Sequence, residues 1–170
     1  MVHSLKKKKT FLDTFKVAQL IRIVEESIAE KYSEQKMRCP THLSIGQEIV
    51  PSMFSTLLNH SDKCVSTHRC HAHYLSKGGN LNKMIAEIYG KSTGCSKGHG
   101  GSMHLIDKKV GFMGSTAIVG SSIPIGVGMG LNIKLINSSD ISVVFFGDGA
   151  REEGTFFESI NLAIVQKLPV

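Results

Sequence analysis

The chain has 170 residues, with 41% hydrophobic and 20% charged side chains, enough apolar material for one domain with a real core and too much for a disordered chain. Its net charge is +6, and four of the positive charges are Lys6 to Lys9. Residues 1–10 therefore read as a solvated basic tail, and the body, residues 11–170, needs no nucleic-acid or other polyanionic partner. No run approaches the ~18 consecutive apolar residues of a membrane span. The four cysteines, Cys39, Cys64, Cys70 and Cys95, form no CxxC pair. With no secretory h-region and few arginines near the start, the expected compartment is the cytoplasm.

In chain order, the first expected helix runs from residue 11 to about 37, with Thr10 as its N-cap. Val17, Ile21, Val24, Ile28 and Tyr32 recur at helical spacing, and Glu25, Glu26, Glu30 and Lys31 fall mainly on the other face. Residues 37–43 read as a loop. A second helix is expected from Ile45–Gln47 to about Leu58, with Pro51 early in it, then a strand at Cys64–Thr67. A third helix, Leu81–Tyr89, follows Gly78-Gly79-Asn80 and stops at Gly90.

Residues 90–120 read as one long ordered loop. It is rich in glycine, with Met103, Leu105, Ile106, Phe112 and Met113 interleaved. A helix then spans Pro124–Lys134. Gly126, Gly128 and Gly130 inside it imply close packing against another backbone, because interior glycines otherwise weaken a helix. Their spacing does not fit a dinucleotide fingerprint. Ile141–Phe146 is an apolar run that ends at Gly147-Asp148-Gly149-Ala150, with a helix from about Glu152. That pattern describes a buried parallel strand feeding a helix, so the expected fold is α/β with a largely parallel sheet. Gln166–Val170 reads as a helix end and the start of another strand, and the chain as a truncated protein or a fragment. Without later strands, Ile141–Phe146 would be an unpaired edge prone to aggregation.

Ligands of open α/β sheets sit at the carboxyl ends of strands. Asp148 between two glycines at such an end suits a Mg²⁺ ion carrying a diphosphate. The amides of Gly149 and Ala150, and the following helix start, would add anion affinity. The alternative is a plain Asp-Gly turn. In His68-Arg69-Cys70-His71-Ala72-His73 the spacing does not match a tetrahedral zinc site. Arg69 reads instead as a forked phosphate ligand, or the segment as a solvated polar loop. The stretch Lys97-Gly98-His99-Gly100-Gly101-Ser102-Met103-His104 offers backbone donors for an anion, or is a surface loop. His42 is a lone loop histidine, more often structural than catalytic.

Taken together, His42-Leu43-Ser44-Ile45-Gly46-Gln47-Glu48, His68-Arg69-Cys70-His71, Gly94–His104, Ile118-Val119-Gly120 and Gly147-Asp148-Gly149-Ala150 stand in the order of one family. The sequence resembles the α subunit of the E1 component of thiamine diphosphate-dependent 2-oxoacid dehydrogenases, the pyruvate, branched-chain and acetoin dehydrogenase group. The likeness runs from about residue 11 to the end. It implies the thiamine diphosphate-binding fold, the cofactors thiamine diphosphate and Mg²⁺, and oxidative decarboxylation with acyl transfer to a lipoyl group. By the resemblance, Asp148 would bind the metal. Gly147, Gly149 and Ala150 would meet the diphosphate, and His68 and Arg69 its terminal phosphate. Ala117, Ile118 and Val119 would lie by the aminopyrimidine. His42 and His71 would be the catalytic histidines. His68 stands where many members have Tyr, and Ala117 where many have Gly.

The same resemblance implies an E1 β subunit in an α2β2 heterotetramer, a lipoylated E2 protein and a pyruvate-like 2-oxoacid substrate. A second, Asn ligand to the metal would fall beyond Val170. The alternatives are a transketolase-like or other thiamine diphosphate enzyme with a different acyl acceptor, or an inactive fragment.

Overall fold

The computed structural model describes residues 2–37 and 39–170, with side chains from residue 10 onward. Met1 of the expected tail and Arg38 of the expected loop lie outside the described residues. Three strands, β1 (Lys63–Ser66), β2 (Phe112–Ser115) and β3 (Ser142–Val144), form one sheet in the order β2-β1-β3. Both pairings are parallel. Among the described residues, six α-helices surround them: α1 (Val2–Tyr32), α2 (Ile49–Phe54), α3 (His71–Ser76), α4 (Leu81–Ile88), α5 (Ser122–Leu135) and α6 (Gly154–Val165). The architecture is the expected α/β class with a parallel sheet. Among the described residues, no helix is long and apolar enough to cross a membrane.

Helix α1 differs from its expected bounds at both ends. It begins at Val2, so the lysine run lies within it, and Thr10 is an interior residue whose carbonyl accepts the Thr14 hydroxyl (2.9 Å) rather than an N-cap. Lysine's unbranched side chain is a good helix former, and charge alone did not mark a boundary. The helix stops at Tyr32, and Gln35 turns into the left-handed region (φ 56°). Ile21, Val24 and Ile28 face the core as their spacing requires, but Tyr32 is exposed. Glu25, assigned to the outer face, is fully buried.

The second helix shrinks to a short α2, and the strand at Cys64 and the helix at Leu81 appear nearly as expected. Asn80 caps α4, its side chain accepting the Lys83 N–H (3.0 Å). Two elements were not legible. The polar run after Arg69 is helical, as α3, and its first residues are buried in the core. The long glycine-rich loop contains β2, which pairs with β1 and buries Phe112.

The glycines of α5 have separate reasons. A Cβ on Gly126 would overlap Val144 Cγ2 of β3, and one on Gly130 would overlap Val170 Cγ2, whereas Gly128 faces open space. Close approach at Gly126 is reinforced by the Ser142 hydroxyl, which donates to the Gly126 carbonyl (2.7 Å). Close packing therefore holds at two of the three positions, against valine side chains rather than backbone.

Strand β3 lies at the sheet edge, but the expected open edge is partly met from within the chain. The Ser142 N–H donates to the Pro169 carbonyl (2.8 Å), so the segment after α6 begins to run beside β3.

Adding one methyl at Gly126 should push α5 off the sheet. Gly126→Ala is expected to destabilise the chain by about 1–3 kcal/mol, the usual cost of overpacking, whereas Gly128→Ala should be neutral or slightly stabilising. Urea unfolding of the two variants checks this contrast.

Candidate diphosphate cleft

All three strands point their carboxyl ends the same way, and the residues that follow them meet at one cleft of about 660 Å³. From the end of β1 come Thr67, His68 and Arg69. From the end of β3 come Phe145, Phe146 and the segment Gly147–Ala150. The turn before α5 adds Val119 and Gly120, and the loop before α2 adds Gly46 and Gln47. Segments up to about a hundred residues apart in sequence thus share one wall because parallel strands place their outgoing loops at one end.

Asp148 and Arg69 are both exposed to this cleft. Asp148 opens a short 3₁₀ turn, Asp148–Glu152, which separates β3 from α6. Helix α6 therefore starts at Gly154 rather than near Glu152, and Glu153 occupies its N-cap position. The Ala150 N–H donates to the Gly147 carbonyl (3.1 Å), closing that turn, so it is not offered to a ligand as the sequence suggested. Gly147 and Gly149 have ordinary backbone angles, and a Cβ on either would meet nothing within 4 Å. Nothing in the chain itself demands glycine there. Both line the cleft, and a side chain at either position would occupy its space.

Arg69 is held in place. Its Nη1 donates to the Leu43 carbonyl (2.5 Å), which ties it to the loop carrying His42. The His42 ring meets His68 edge-on, with centroids 4.9 Å apart. Partial burial, helped by the charges of His42 and Arg69, holds the His68 imidazole below the usual histidine range. Neutral His68 retains one N–H donor beside the Arg69 cation. Val119 reaches the cleft, while Ala117 and the largely exposed Ile118 are not among its lining residues.

His71 does not face the cleft. It is fully buried, with Nδ1 2.8 Å from Glu25 Oε1 and Nε2 2.8 Å from Ser102 Oγ. Contact with a substrate is closed to it by the position of α3, whose first turn enters the core. His73, which the sequence did not single out, lies at the cleft floor instead. Its Nδ1 is 2.8 Å from the Ser66 hydroxyl and its ring stacks on Phe145 at 4.1 Å. Behind this stack lies a second hollow of about 610 Å³, and His73 and Phe145 border both spaces. Burial pushes His73 down to about 4.

The glycine-rich loop also acts differently from expectation. Its amides do gather around an anion, but the anion is internal. The fully buried Glu87 of α4 accepts the N–H groups of Ser96 (2.7 Å), Gly98 (2.9 Å), Gly100 (2.6 Å) and Gly101 (3.3 Å). A Cβ at Gly94 would strike the Glu87 side chain, and one at Gly100 the His104 carbonyl. These glycines serve the wrapping of the loop around its own carboxylate. A buried acid on α4 next to a run of glycines was the available signal, and its helical position alone did not reveal it.

The strand ends of this α/β domain meet at an open cleft lined by one fixed guanidinium, one carboxylate and two bare glycines. Residues 16–170 match the family model described as the dehydrogenase E1 component. The chain is 42% identical to the α subunit of an acetoin:2,6-dichlorophenolindophenol oxidoreductase from Bacillus subtilis, over 88% of its own length and 45% of that protein's. It is 40% identical to the chloroplastic pyruvate dehydrogenase E1 component subunit alpha-3 of Oryza sativa subsp. japonica, over 99% of this chain and 42% of the relative. For the pyruvate dehydrogenase E1 component α subunit of Rickettsia felis the figures are 38%, 96% and 50%. The chain belongs to the E1-component dehydrogenase family, and it spans about half the length of the curated relatives it matches. Membership implies the thiamine diphosphate-type fold and thiamine diphosphate as the cofactor.

Two expectations follow from the buried groups. In the folded chain His73 titrates near 4, below its ordinary 6.5, so its neutral form is favoured. The stability this gives is complete above about pH 6.5 and is lost as pH falls toward 4, by up to about 3 kcal/mol. Thermal melts across that range should fall less steeply for His73→Gln than for the parent. Separately, Glu87→Ala leaves several loop amides without their acceptor, and hydrogen exchange at Ser96, Gly98 and Gly100 should accelerate by more than about tenfold.

Proposed function

We propose that the chain is the diphosphate-holding part of an E1 α subunit, working with an E1 β subunit in an α2β2 assembly on a pyruvate-like 2-oxoacid. The observation that carries this reading is the shared cleft of Arg69, Asp148, Gly147 and Gly149, drawn from distant segments and lacking any internal reason for its glycines. Family membership and the pyruvate dehydrogenase relatives support it. The acetoin-named relatives favour a second substrate reading, an acyloin in place of the 2-oxoacid.

In this proposal Arg69 binds the terminal phosphate through its fork, which matches phosphate oxygens in two parallel hydrogen bonds. The Leu43 carbonyl occupies one donor and fixes the plane of the rest. Asp148 supplies a carboxylate to Mg²⁺, an ion that commonly takes one or two carboxylates and completes its shell with phosphate and water oxygens. Among the described residues no three His, Cys, Asp or Glu side chains gather as a metal site, and Asp148 is the carboxylate that lines this cleft. His68 donates to a phosphate oxygen. Gly147 and Gly149 let the phosphates approach the backbone. Val119 offers an apolar wall toward the ring end, with Ala117 and Ile118 nearby in sequence, and His42 stands at the rim through its contact with His68.

When bound, thiamine diphosphate supplies the carbanion chemistry of decarboxylation. The residues of this chain bind and orient its charged end. Acyl transfer would end on a lipoylated E2 protein.

Calorimetry with Mg²⁺-thiamine diphosphate on the full-length subunit paired with its β partner tests the assignment. Asp148→Asn and Arg69→Met should each raise Kd by at least about tenfold, the loss of a charge-assisted contact. Affinity equal to the parent in Asp148→Asn would remove the metal-ligand assignment.

A further inference from the structure

Glu25 is a charged residue with no exposure, on the helix face that meets the core. A carboxylate so placed is costly unless it is fully partnered. Its Oε2 accepts the Ser44 N–H (2.9 Å), and its Oε1 lies within hydrogen-bond distance of His71 Nδ1 (2.8 Å). Beyond His71, the Ser102 hydroxyl lies 2.8 Å from Nε2. One carboxylate thus joins α1, the loop before α2, the start of α3 and the glycine-rich loop.

Arg22, one turn earlier on the same helix, acts on the same loop. Its Nε donates to Glu48 Oε1 (2.7 Å), and that oxygen also accepts the Gly46 N–H (2.9 Å). Residues 42–48 are therefore fixed at two points, Ser44 by Glu25 and Gly46 through Glu48. This is the loop whose Leu43 carbonyl receives Arg69, whose His42 packs on His68, and whose Gly46 and Gln47 line the cleft.

We infer that Glu25 is a positioning residue for the diphosphate-binding face. It fixes the Ser44 amide, which fixes the adjoining Leu43 carbonyl, which sets the plane of the Arg69 guanidinium. His71 extends the same anchoring to Ser102, so its part in the site is to hold loops and not to touch substrate. The inference rests on the proposed diphosphate function of Arg69. It differs from a plain core-packing role in one measurable respect: a residue that acts through Arg69 loses its effect once Arg69 is gone, because contributions that share a partner do not add.

The experiment is a double-mutant cycle on the full-length α and β assembly, with Mg²⁺ and inorganic diphosphate as the probe and Kd read by calorimetry. Glu25→Gln keeps the size of the side chain but turns an N–H₂ toward one of the two donors it must accept. It should weaken diphosphate binding about tenfold, while the exposed neighbour Glu26→Gln leaves it unchanged. In the Arg69→Met background, Glu25→Gln should change Kd by less than about twofold. Unchanged affinity in Glu25→Gln, or a full further loss on top of Arg69→Met, overturns the inference. Arg69→Met binding as well as the parent overturns the diphosphate reading itself, a separate outcome of the same cycle. Should Glu25→Gln fail to fold, hydrogen exchange of the parent decides. Diphosphate binding should slow exchange at the Ser44 amide, and an unaltered rate overturns the inference.

Discussion

Two carboxylates that cannot reach water, Glu25 and Glu87, decide where the irregular part of this chain goes. Each would be a severe liability alone. Glu87 resolves this by collecting four amides from the glycine-rich loop, and Glu25 by accepting one amide from the loop before α2 and by its 2.8 Å contact with His71 Nδ1. Loops whose backbone amides would otherwise be unpaired acquire fixed positions in this way. The glycines follow from the same constraint, since a Cβ at Gly94 would collide with the acid the loop encloses.

The second constraint is the direction of the strands. β1 lies between β2 and β3, all parallel, so the segments leaving β1 and β3 are neighbours in space although far apart in the chain. Arg69 and Asp148 face one cleft for that reason. α5 sits close over β3 because Gly126 has no side chain, and the turn that enters α5 brings Val119 and Gly120 to the same cleft. The cleft is therefore a product of backbone packing below it and of the carboxylate anchors beside it. The residues proposed to meet the ligand, Arg69 and Asp148, sit on short loops whose bases are well held.

The parts that could be read from residues alone were those with strong local signals. The apolar run before Gly-Asp-Gly, the Gly78-Gly79-Asn80 lead into α4, the periodic face of Ile21, Val24 and Ile28, and the glycines of α5 all pointed to the elements observed. β2 escaped because its four residues include a glycine and a serine and lie in a loop-like stretch; it is a strand through its pairing with β1. α3 escaped because its histidines look solvated, yet its first residues are buried by contacts with Glu25 and Ser102. Among the site residues, Arg69, Asp148 and the bare glycines, expected as phosphate and metal ligands, line one cleft. His71 lies buried away from the cleft, Ala150 gives up its amide to a turn, and the stacking of His73 on Phe145 was not foreseen.

The sequence by itself determined the α/β class and the family, because these rest on residue type and on spacing within short segments. Only the tertiary structure decided which charged groups are solvent-facing and which are buried anchors. Glu25 and Glu26 are identical in kind and adjacent in the chain, but the step of about 100° between neighbouring helix positions sends the first into the core and leaves the second in water. The spacing Ile21, Glu25, Ile28 places Glu25 on the core-facing stripe, but its partners Ser44 and His71 lie on elements that meet it only after folding.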